Sequence, residues 1–174
     1  MNRFKHLLYI ADPGVAQSAA IARAVTLADN NQAELTVVDV VPEMADNLTL
    51  ARVAEREQAL ADVIAPFRQR LQIHAEVWVG ERVAEVVHAV LRGPHDLVLK
   101  AAEDPDWVDR LFGSDDLQLL RECPCPVWPM AADTRPNYSV ILAALGFDAD
   151  TPAADEAALN RRILELASSL ALSD

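Results

Sequence analysis

Cysteine is scarce in this chain: only Cys123 and Cys125, both inside the run CPCP. A disulfide-built scaffold needs more, and zinc-site spacing is missing, so two reduced thiols and no metal are expected. Long apolar runs are missing as well. LLYIA and SVILAAL fall short of the ~18–20 residues that a membrane span requires. Basic residues are few, 15 against 27 acidic ones, and phosphate backbones repel the resulting net charge of −12. Neither nucleic acid nor membrane is an expected partner, and the acidity reads as solubility. The opening MNRFKHLLYIAD starts basic, but its apolar run is brief and lacks a cleavage site, so a cytoplasmic location is expected.

A nucleophile–base arrangement is also absent. Ser114 has no nearby partner, Cys123 and Cys125 sit among prolines, and His6, His74, His88 and His95 are scattered. No catalytic residue is assigned, and the chain is expected not to be an enzyme.

What is present is apolar substance. Apolar residues make up 52% of the 174, enough for a sizeable core and too much for intrinsic disorder. HLLYIAD is a continuous apolar run too short for a helix, so it reads as a buried strand. After Pro13-Gly14, Ile21, Val25 and Ala28 recur at helical spacing, and valine-rich ELTVVDVV follows as a second strand closed by Pro42. Val53, Leu60, Ile64, Phe67 and Leu71 mark one face of a long helix, which Pro66 should kink or break. IHAEVWV alternates as a third strand, and Val83, Val86, Val87, Val90 and Leu91 give the next helix. DLVL is a short buried strand. A short helix carrying Leu117 and Leu120 follows, with Ser114 as its N-cap and Asp115 and Asp116 favourable to its dipole. PVWPM is a fifth strand whose prolines suit an edge.

Buried strands alternating with helices predict an open five-stranded parallel α/β sheet, Rossmann-like, covered on both faces and complete by about residue 130. Ligands on such sheets sit beyond the carboxyl ends of the strands, which marks Asp12, Val40-Val41, Val79-Gly80 and Lys100. Residues 131–137 read as a linker. Over 138–174, YSVILAAL and AALNRRILELASSLA repeat the opening strand–helix pattern and then stop. A lone strand–helix unit cannot bury its own apolar face, so an incomplete second repeat of a longer two-repeat protein is expected, the alternative being a native C-terminal extension that packs on the first domain or on a neighbouring subunit.

HLLYIADPG, AELTVVDVVP, PHDLVLK, FGS at 112–114 and RECPCPVW at 121–128 resemble the universal stress protein family, in order, over residues 3–130. PHDLVLK, CPCPVW and the second repeat look most like its tandem members. The resemblance implies a stress-response role and dimers or pseudo-dimers joined through the fifth strand. Val127, Trp128 and Met130 are its interface candidates. Some members bind ATP through an aspartate ending strand one and a backbone contact after strand two, where Asp12 and Val41 stand here. Their phosphates lie on G-x-x-G followed nine residues later by G-[S/T]. Gly113-Ser114 matches the second half of that motif, while Lys100 and Glu103 replace its first two glycines.

Glycine serves a phosphate cradle because the backbone must come close to the anion and aim several N–H groups at it. A side chain at Lys100 and a carboxylate at Glu103 obstruct both. Asp104, Asp106, Asp109, Asp115 and Asp116 add negative charge against Arg110 alone. Lys100 could still meet one phosphate as a point charge. ATP is therefore disfavoured and no cofactor is expected. The expected function is a non-enzymatic stress-response module that dimerises through PVWPM and binds a partner or an unidentified small molecule. The alternative is an ATP binder or slow ATPase using Asp12, Val41, Gly113 and Ser114.

Overall fold

The computed structural model describes residues 4–14, 16–102, 115–131, 134–135, 138–146 and 153–173. Five strands, β1 (His6–Ile10), β2 (Glu34–Val41), β3 (Ile73–Val79), β4 (Leu97–Ala101) and β5 (Val127–Met130), form one parallel sheet ordered β3-β2-β1-β4-β5. The helices are α1 (Ser18–Asn31), α2 (Asp46–Ile64), α3 (Arg82–Arg92), α4 (Asp115–Glu122) and α5 (Ala153–Leu172). This is the open α/β sheet that the sequence predicts. Chain order reverses about β1, which pairs with β2 on one side and β4 on the other.

Strand periodicity divides the core in two. Leu7, Tyr9, Leu35, Val37, Leu97 and Leu99 face α1 and the end of α2. Leu8, Ile10, Val38 and Val98 face Val83, Val86 and Val90 of α3 and Leu119 of α4. β1 and β4 are buried on both faces, which is why HLLYI and LVLKA read as nearly unbroken apolar runs. Pro66 acts as expected: α2 stops at Ile64 and Ala65–Phe67 forms a single 3-10 turn.

β5 is an edge. Val98 N–H donates to the Pro126 carbonyl and Ala102 N–H to that of Met130, so Val127 and Pro129 point their main-chain groups outward. Pro129 has no N–H to present there, which thins the open edge.

Of the strand–helix unit expected over 138–174, only the helix is seen among the described residues. Leu166 and Leu170 of α5 pack on the first core. Ser173 beyond it is buried, accepting from Asn30 through its carbonyl at 2.6 Å and from Asn31 through its hydroxyl at 2.9 Å. The strand expected over YSVILAAL does not form within 138–146. A strand needs a ladder partner, and here Tyr138 instead lays its ring against Trp128, centroids 5.7 Å apart. Val140 and Leu142 remain exposed, at 78% and 90%. Among the described residues no helix is long and apolar enough to cross a membrane.

Candidate functional site

A cleft of about 600 Å³ opens at the carboxyl ends of β1 and β2, between the turn after β1, the start of α2 and the start of α3. Asp12 and Val41 both line it, as expected from their places at strand ends. Each Asp12 oxygen is already engaged. Oδ1 accepts the Gly14 N–H at 2.8 Å, an Asx turn, and Oδ2 accepts from Arg82 Nη1 at 2.8 Å.

Arg82 reaches Asp12 because of the turn that precedes it. Gly80 follows β3 with φ +152°, and a Cβ there would come within 2.8 Å of the Glu85 side chain. Its N–H donates to the Val41 carbonyl at 2.9 Å, tying the ends of β3 and β2 together. Glu81 then caps α3 by accepting the Val83 and Ala84 N–H groups at 3.0 and 2.7 Å. The first helical residue is thereby fixed over the end of β1. Arg82 also lies 3.6 Å from Asp115 of α4.

Beneath the cleft, Asp39 projects from β2 toward α2 and pairs with Arg56 at 3.6 Å. It is only 4% exposed. Burial raises its pKa above the usual carboxylate range, and the nearby Arg56 and Arg82 charges do not fully offset that. Tyr9 donates its hydroxyl to Gln17 Oε1 at 3.3 Å, and the same oxygen accepts the Asp12 N–H at 3.1 Å. Burial, and then the Asp12 charge, push the phenol upward, so it stays protonated.

A folded-state pKa above the unfolded value means the native state holds the proton more tightly. Asp39's contribution to stability is therefore lost as pH rises from its unfolded range through its folded pKa. Asp39→Asn is expected to raise the urea midpoint at pH 7, with the difference narrowing as the pH is lowered. Unfolding titrations of both proteins at several pH values check it.

The other expected site residues lie elsewhere. Lys100 does not line the cleft. It projects to the α3–α4 side of the sheet, is 1% exposed, and forms an ion pair with Asp116. Asp116 thus does more than favour a helix dipole. Gly113 and Ser114, with Glu103, lie outside the described residues. At β5, Met130 is buried in the first core, and Trp128 is partly covered by Arg23 and Tyr138, with the guanidinium carbon 5.5 Å from the Trp128 centroid. Val127 packs at the margin of the second core. Arg82, Arg56, Asp39, Arg52 and Glu55 are the charged cleft residues that sequence reasoning missed. A lone aspartate inside ELTVVDVV was a readable signal, and Arg82 follows a marked strand end, but nothing local distinguishes Arg56.

The model for the universal stress protein family matches residues 3–128. Universal stress protein E of Salmonella typhi is 28% identical over 180 residues, covering 95% of this chain and 56% of that protein. The homologue of that protein from Haemophilus influenzae is 27% identical, covering 97% and 60%. The chain thus spans little more than half the length of these curated relatives. Among solved structures, the universal stress protein UspA from Lactobacillus plantarum superposes with a TM-score of 0.56 at 24% identity, covering 74% of this chain and 97% of its own. A universal stress protein in complex with cAMP gives 0.59 at 18% identity, covering 75% and 98%. These structural likenesses carry the fold.

Proposed function

The chain belongs to the universal stress protein family, and from that premise we propose that it is a non-enzymatic stress-response module that works by binding. One observation carries this reading. Among the described residues the charges lining the cleft balance, three against three, and each faces an opposite partner. Arg82 meets Asp12 at 2.8 Å, Arg52 meets Glu55 at 2.9 Å, and Arg56 meets Asp39 at 3.6 Å. A triphosphate brings about four negative charges and needs surplus cations or several free N–H donors. Lys100, which occupies the first position of the expected phosphate loop, is committed to Asp116. The cleft suits a small ligand of low charge, and a cyclic nucleotide with its single phosphate charge is one such chemistry.

Calorimetric titration of the full chain tests the ligand side. MgATP is expected to show no binding below about 1 mM, roughly −4 kcal/mol. Purified protein carrying one ATP or ADP per chain by native mass spectrometry would overturn the reading. Titration with cAMP and adenosine probes the low-charge class.

The partner side of the proposal is a homodimer through the outer edge of β5. In support, Val127 N–H and the carbonyls of Val127 and Pro129 face outward there. Sedimentation at micromolar concentration should give a dimer, weakened by Val127→Lys. A monomer throughout that range would sink it.

A further inference from the structure

At the opposite end of the sheet, the turn from α4 to β5 brings the two cysteine sulfurs to 3.7 Å. Both residues are half-buried. Cys125 also lines a cavity of about 380 Å³ together with Phe4, His95, Asp96, Arg162 and Leu166. His95 Nδ1 and Asp96 Oδ1 are buried and have no hydrogen-bond partner among the described residues. We propose that Cys123 and Cys125, whose sulfurs touch and of which Cys125 borders this cavity, form a dithiol site that exchanges reversibly with low-molecular-weight disulfides.

The geometry suits exchange because the sulfurs already touch. Closing a disulfide needs them to approach by a further ~1.7 Å, which side-chain rotation in a Cys-Pro-Cys turn supplies. The cavity beside Cys125 suits a carboxylate-bearing disulfide such as oxidised glutathione, because Arg162 offers it a cation. The step balances. The Cys123 sulfur attacks one sulfur of R–S–S–R, that bond breaks, and R–S⁻ leaves and takes a proton. Cys125 then gives up its proton, attacks the Cys123 sulfur and expels the second R–SH. Two protein thiols are oxidised to one disulfide while one small disulfide is reduced to two thiols.

Electrostatics favours that order. The hydrogen bond from the Cys125 thiol brings Cys123 down to about 7, overcoming burial. The same bond, then burial, push Cys125 up, and Asp96 adds to the push. His95, beside Asp96, and Arg162 of α5 are the other titratable groups lining that cavity. The lowered value enlarges the thiolate fraction of Cys123 at neutral pH relative to an ordinary thiol. Lower intrinsic nucleophilicity offsets part of that gain, leaving Cys123 the faster attacking thiol of the two.

The test incubates the reduced full chain with oxidised glutathione at pH 7, quenches with an alkylating reagent and reads intact mass. The wild type is expected to lose two hydrogens, to resist alkylation at both positions, and to regain both thiols with reduced glutathione. Cys125→Ser should trap one glutathione on Cys123, while Cys123→Ser should react about tenfold more slowly. The wild-type rate should level off above pH 7. A wild type that keeps two alkylatable thiols at equilibrium would overturn the proposal. So would two single variants that take up glutathione at equal rates. The wild-type readout stands alone should a variant fail to fold.

Discussion

Lys100→Met is expected to destabilise the fold by about 3–5 kcal/mol, because it leaves the Asp116 carboxylate buried without its counter-charge. The pair is enclosed, 1% and 4% exposed, between β4 and the first turn of α4. Taking two charges out of water costs several kcal/mol per ion, and their mutual attraction repays this only while both are present. Replacing both partners with apolar residues should therefore behave quite differently. Lys100→Met with Asp116→Leu is expected to recover to within about 1 kcal/mol of wild type, or to exceed it. Urea unfolding of the two single variants and the double variant, with unchanged slopes, checks the whole cycle. A Lys100→Met cost below about 1 kcal/mol would mean that water reaches the pair.

This cycle bears on the phosphate loop. Lys100 stands where nucleotide-binding relatives are expected to carry a glycine, so Lys100→Gly is the natural attempt to restore a cradle. In this fold that change also strands Asp116. Any gain in ATP affinity would be hidden by unfolding unless Asp116 is neutralised too. Asp116→Asn with Lys100→Gly and Glu103→Gly is the informative combination, and unfolding of that protein should be measured before its affinity.

The strands were legible because a parallel sheet covered on both faces leaves no polar register to obscure them. LLYI, VVDVV and LVL announce burial with little ambiguity, and each lies where expected. The same property concealed the site. Arg82 and Asp12 are 70 residues apart, and no local pattern links a residue after one strand to the helix after another. Asp116 had a sufficient local explanation in the helix dipole, so nothing in DDLQLLRE called for Lys100. The segment 138–146 failed in the other direction. Its apolar content is that of a strand, but pairing depends on a neighbour, and β5 meets it through the Trp128 and Tyr138 rings instead of a ladder. Local sequence fixes what can be buried; partners across the fold decide what is.

Arg82→Ala is expected to cost about 2 kcal/mol, the scale of a hydrogen bond to a charged group lost from a partly enclosed site. For a chain of this size that lowers Tm by roughly 4–8 °C. The side chain is 22% exposed and lies between Asp12 and Asp115, so its removal unties the end of β1 from the starts of α3 and α4 together. Asp12 and Asp115 then repel across the gap, and raising the salt concentration should narrow the difference from wild type. Asp12→Asn in the same protein should recover part of the loss by removing one of the stranded charges. Among the described residues the cleft meanwhile changes from balanced to acidic, with Asp12, Asp39 and Glu55 facing Arg52 and Arg56. MgATP should therefore bind Arg82→Ala no better than wild type, in calorimetry at matched salt. Should ATP affinity instead appear once Asp12 is freed, the engaged carboxylate would be the obstacle, and the balance of charge in the cleft would not be what excludes the triphosphate.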